Sequence, residues 1–89
     1  MYTLDGRNML SREEAFNEIR SALEIKDYMG DNLDALYDVL SVFRGEINLL
    51  HACHMLNALK GYGCRLLKTF FDAAEENKYL SFTMGMKHE

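Results

Sequence analysis

The chain has 89 residues, 48% of them hydrophobic and 27% charged, which suffices for one core, so one domain spanning residues 1–89 is expected. Ten Lys and Arg against fourteen Asp and Glu give a net charge of −4 and a pI near 5.3; such a chain repels a phosphate backbone and attracts basic proteins, which argues against direct nucleic-acid binding. The two cysteines, Cys53 and Cys64, lack metal-type pairing and are too few to staple a small secreted domain, and there is no signal-like start and no apolar run approaching about 18 residues, so a reduced, cytoplasmic protein is expected with no export or membrane contact.

Taken in order, Tyr2 to Leu4 is a short strand stopped by the turn pair Asp5-Gly6. Ser11-Arg12-Glu13-Glu14 has capping-box spacing, and Ala15, Phe16, Ile19, Ala22 and Leu23 form an apolar stripe, so the first helix is predicted from about Arg12 to about Glu24. Gly30 is expected to take positive φ and turn Tyr28 outward before Asp31 or Asn32 caps a second helix, which Gly45 ends. Ile47 to Leu50 reads as a strand with little alternation, as in a parallel strand covered on both faces. Ala52, Met55, Leu56 and Leu59 predict a third, short helix that Gly61 and Gly63 break. A fourth helix carries Leu66, Leu67, Phe70, Phe71 and Ala74 and ends near Asn77. Its outer face bears Asp72 and Glu76. Tyr79 to Met84 is a last strand, with Leu80, Phe82 and Met84 pointing one way, and residues 86–89 form a frayed tail. Strands separated by helices predict an α/β fold, a small three-stranded parallel sheet with about four helices packed against it.

The second helix carries the functional signal. From Asp27 to Phe43 there are four acids, Asp27, Asp31, Asp34 and Asp38, and no Lys or Arg. At 3.6 residues per turn, Leu33, Leu36, Leu40 and Phe43 share one face, while Asp31, Asp34 and Asp38 fall within about 60° of one another on the opposite one. Asp is a poor interior helix former, and the Asp34–Asp38 pair at i,i+4 costs roughly 0.2–0.5 kcal/mol. An unneutralised acidic face beside Tyr37 suits a cationic partner better than it suits the helix. The plainer alternative is a solvated helix face.

The run Tyr28-Met29-Gly30-Asp31-Asn32-Leu33-Asp34-Ala35-Leu36-Tyr37-Asp38 resembles the signature Y-x-G-[DE]-N-L-D-A-L-[WY]-D of the barstar family, intracellular inhibitors of secreted microbial ribonucleases. The order of elements on either side agrees, so the likeness covers most of the chain. It implies the family's three-stranded parallel sheet and a small basic ribonuclease as a 1:1 protein partner, with no cofactor. It also implies that Asp38 enters the nuclease active site deepest, that Asp34 pairs with further basic side chains and that Tyr28 stacks on a catalytic histidine. Gly30, Asn32, Leu33 and Tyr37 would supply contacts around them. Asp72 would stand where the family carries Glu, one methylene shorter. Tyr37 replaces a Trp, Val42-Phe43 replaces Gly-Trp, and Val39 and Lys78 occupy the places of two family cysteines. These departures bear on which nuclease is recognised. A barstar-type fold recruited to another basic protein is the alternative.

Little in the sequence suits an enzyme. There is no Gly-rich phosphate loop, no H-E-x-x-H and no G-x-S-x-G. His51 and His54 have a spacing that can bind metal, but Cys53 points elsewhere and no further ligand pair follows, so strand-end or surface roles are expected and no metal site. Leu33 and Leu36 are expected in the core whatever the function, while Gly30 and Asn32 can be explained as a turn and a cap alone. Tyr28, Asp34 and Asp38 are required by neither packing nor capping.

Overall fold

The computed structural model describes residues 1–26 and 29–85. Asp27, Tyr28 and the tail 86–89 lie outside the described residues, so the expectations for Tyr28 and for a frayed tail concern positions outside them. Three strands, β1 (Tyr2–Asp5), β2 (Gly45–Leu50) and β3 (Leu80–Met84), form one sheet in the order β1-β2-β3. Both pairings are parallel, with Tyr2 opposite Ile47 and Ile47 opposite Phe82. Helices α1 (Arg12–Ala22), α2 (Leu33–Ser41), α3 (Ala52–Leu59) and α4 (Gly61–Glu76) supply the crossovers, and a 3-10 turn at Gly6–Asn8 follows β1. The architecture is α/β, as the alternation of strands and helices predicted.

One expectation about the sheet is corrected. In β2 only Ile47 and Leu49 are buried, while Glu46 and Leu50 are exposed and Asn48 is half-buried. Thr3, Ser81 and Thr83 are exposed on the neighbouring strands, and the Thr83 hydroxyl donates to Asn48 Oδ1 at 3.0 Å. The helices therefore cover one side of the sheet, and the other is a polar surface, an arrangement uncommon in all-parallel sheets. The core on the covered side joins Leu4, Phe16, Ile19, Leu36, Leu40, Ile47, Leu49, Met55, Leu66 and Phe70, all at most 1% exposed. Phe70 stacks on Phe82 with centroids 4.7 Å apart, which fixes α4 against β3.

Helix boundaries differ from the periodic reading where the backbone turns without glycine. Ser11 caps α1 as its spacing predicted, accepting the Glu14 N–H at 3.1 Å. The helix stops at Ala22, because Glu24 takes φ 56° and the Ile25 N–H reaches back to the Arg20 carbonyl at 3.0 Å, a six-to-one closure. Gly61 and Gly63 do not break a helix; they open α4. The turn falls instead on Lys60, at φ 56°. Gly63 permits a close approach, since a Cβ there would lie 3.0 Å from Met55 Sδ and 3.3 Å from Leu56 Cδ2 on α3. Gly45 likewise starts β2 at φ 143°, after α2 has ended at Ser41.

The tightest backbone approach is at Gly6. A Cβ there would lie 2.2 Å from the His51 carbonyl oxygen and 2.8 Å from its carbon, atoms that cannot rotate aside. Gly6→Ala is expected to cost up to about 3 kcal/mol, the upper end for overpacked sites. A fall in the urea midpoint with little change in slope would register it.

Candidate functional site

Helix α2 begins where Asn32 caps it: the Asn32 side chain accepts the Ala35 N–H at 2.8 Å. Asn32 rather than Asp31 is the cap, and the loop ahead of it is set by a different device. Arg20 on α1 forms an ion pair with Asp31, donates to the Met29 carbonyl at 3.4 Å and is itself steadied by Asn17 at 2.6 Å. Met29 beneath this tie is only 3% exposed. Gly30 does not take the expected positive φ. Glycine is favoured there for space, because a Cβ would come within 2.8 Å of the Asn32 side-chain nitrogen and press on the cap.

Along α2, Leu36 and Leu40 are buried, Leu33 and Tyr37 are half-buried against the core, and Asp34 and Asp38 are exposed. Asp34 lies in the first turn, where the helix N-terminus favours a negative charge. Asp38 stands a full turn further on, where that help has faded. Among the described residues, neither carboxylate takes part in an ion pair or hydrogen bond. The acidic face is nevertheless smaller than the helical projection suggested. Asp31 precedes the helix and is neutralised by Arg20, so the ridge consists of Asp34 and Asp38.

The far end of α2 is held by a residue that the sequence did not single out. Asn77, at 9% exposure, donates through its amide nitrogen to the carbonyls of Leu40 at 3.0 Å and Phe43 at 2.7 Å, and its Oδ1 accepts the Tyr79 N–H at 3.0 Å. One side chain thus ends α2 and starts the approach to β3. Its partners lie 34 and 37 residues away, and no local pattern announces them. Asp72 sits on α4, which packs on α2. It accepts from Lys68 Nζ at 2.7 Å across one helical turn, and this hydrogen bond raises the Lys68 pKa above its ordinary value. Among the described residues, Asp72 is thus occupied while Asp34 and Asp38 are not.

The histidine cluster is placed as a strand end. His51 is 7% exposed in the left-handed region (φ 55°, ψ 41°) between β2 and α3, edge-on to His54 with centroids 6.1 Å apart. Among the described residues, no three His, Cys, Asp or Glu side chains are grouped to hold a metal ion, and no helix is long and apolar enough to cross a membrane.

In this three-stranded parallel sheet, α2 belongs to the β1–β2 crossover, is capped by Asn32 and exposes Asp34 and Asp38, neither of them paired among the described residues. The family model described as Barstar (barnase inhibitor) matches residues 1–87. The chain belongs to the barstar family. Comparison with curated proteins gives no match. Barstar-family membership supports a barnase-inhibitor-like fold and an inhibitory rather than a catalytic family role.

Proposed function

We propose that this chain is an intracellular, cytoplasmic inhibitor of a small basic, barnase-type ribonuclease, binding it 1:1 as a single domain and blocking its active site with α2 and the loop before it. The observation that carries this reading is the contrast among acids: Asp31 and Asp72 are each paired with a cation of the chain, whereas Asp34 and Asp38 are exposed and, among the described residues, unpaired. A nuclease that grips a polyanion holds Arg, Lys and His in its cleft, and two carboxylates about 6 Å apart along a helix can stand in for phosphates through charge-assisted hydrogen bonds. Asp38 and Asp34 are the principal groups, with Tyr28 stacking on a catalytic histidine as the family likeness suggests. Gly30, Asn32, Leu33 and Tyr37 form the surround, and Asp72 can join once released from Lys68.

Titrating barnase with the protein while following RNA cleavage tests the reading. Activity is expected to fall to zero at one equivalent, and undiminished activity at micromolar inhibitor would refute the assignment to barnase-type enzymes. The association rate is expected to drop about tenfold or more between low salt and roughly 0.5 M salt, because steering by exposed charges is screened. Stopped-flow mixing across a salt series measures this. Affinity capture from the host's own extract separates the alternative, a basic protein that is not a nuclease.

A further inference from the structure

The acidic ridge of α2 does not end in solvent but runs into a basic groove. Val42 lies four residues beyond Asp38, one more turn along the same line, and is 79% exposed. With Ser41 it forms one side of a groove of about 500 Å³ whose other side carries Arg44, Glu76, Lys78 and Tyr79. The Tyr79 ring is 53% exposed and bears two cations, the Arg44 guanidinium carbon 4.2 Å and Lys78 Nζ 5.4 Å from its centroid. Neither cation enters an ion pair among the described residues, although Glu76 shares the groove. The groove is also rigidly joined to α2. Asn77 bonds the Leu40 and Phe43 carbonyls and the Tyr79 N–H together, and the Gly45 N–H donates to the Tyr79 carbonyl at 3.0 Å.

Cations laid on an aromatic face have already given up part of their rotamer freedom, so less is lost when they bind, and their N–H donors still lack a carboxylate. We propose that Arg44 and Lys78, held on Tyr79, are the basic end of the partner-binding surface and take a carboxylate of the same protein whose cations meet Asp34 and Asp38. This rests on the proposed function and adds the charge pattern of the partner: a basic cleft, then an apolar rim against Val42, then an acid one to two helical turns further on. Such alternation fixes register and rejects nucleases whose rim is basic at that point.

The test uses barnase as the probe and the full chain with R44E/K78E, R44A/K78A and, as a separate arm, Asp38→Ala. All substituted positions are exposed, and circular dichroism with thermal unfolding verifies the fold of each variant. The sign of the change is decisive. R44E/K78E makes the inhibitor four charges more negative, so general attraction to a basic nuclease would tighten binding, whereas loss of a specific cation–carboxylate contact weakens it. We expect R44E/K78E to raise Kd about tenfold or more, chiefly through the dissociation rate, with a smaller rise for R44A/K78A. Unchanged or tighter binding by R44E/K78E, with Asp38→Ala still weakened, overturns the groove while leaving the inhibitor reading intact. If the unmodified chain does not bind barnase, the inhibitor reading fails and the groove's assignment falls with it.

Discussion

Asp38→Ala is expected to weaken binding to the ribonuclease by about 2–8 kcal/mol while leaving the inhibitor as stable as before or slightly more so. That range already includes the barnase–barstar pair, so it is inherited from the family and is not an independent magnitude. The two signs differ for one physical reason. In the free protein the Asp38 side chain is exposed and bonds to nothing among the described residues, and it repels Asp34 across one turn. Alanine removes roughly 0.2–0.5 kcal/mol of that repulsion and adds helix propensity. In the complex the same change strands desolvated cations of the partner without a counter-charge. Calorimetric titration paired with thermal unfolding reads both quantities. Asp31→Ala supplies the contrast, since Asp31 serves the loop through Arg20 and its loss is expected to lower stability more than affinity.

Asn77→Ala is expected to cost about 2–4 kcal/mol of folding stability, the largest loss of stability of any polar substitution considered, because the Phe43 carbonyl and the Tyr79 N–H lose their Asn77 partner together, while the Leu40 carbonyl keeps the Phe43 N–H at 3.2 Å. The three groups belong to the end of α2 and the lead into β3, so the damage is concentrated where the acidic helix is anchored. Binding should weaken as well, through a looser α2 and not through any lost contact with the nuclease. Asn77→Asp tests this: it keeps the shape and the acceptor for Tyr79 but sets a carboxylate against two carbonyls, so it should be no better than alanine. Urea unfolding measures the first effect, and amide exchange over residues 33–43 measures the second.

Much of this was legible in the sequence because the signals were local. Ser11 and Asn32 announce their caps within three residues, Leu36 and Leu40 repeat at helical spacing, and the segment holding the acids is uninterrupted by Lys or Arg. The readings that failed depended on distant partners. Asp31 reads as part of an acidic helix face until Arg20, eleven residues earlier, is seen to hold it. Gly63 reads as a breaker because nothing nearby says that α3 approaches it too closely for a side chain, Gly61 stands in open space at the start of α4, and the turns at Glu24 and Lys60 use residues that rarely adopt positive φ. In β2, Leu50 obscures the alternation of buried Ile47 and Leu49, so a strand open on one side resembled one covered on both.

The one-sided sheet has a practical corollary. Because the helices, α2 included, lie over the covered side, Thr3, Ser81 and Thr83 look away from the surface proposed to meet the nuclease. A fluorophore or a solid support attached through one of those three positions would leave the acidic helix unobstructed, which makes the back of the molecule a natural handle for single-molecule or immobilised-inhibitor work.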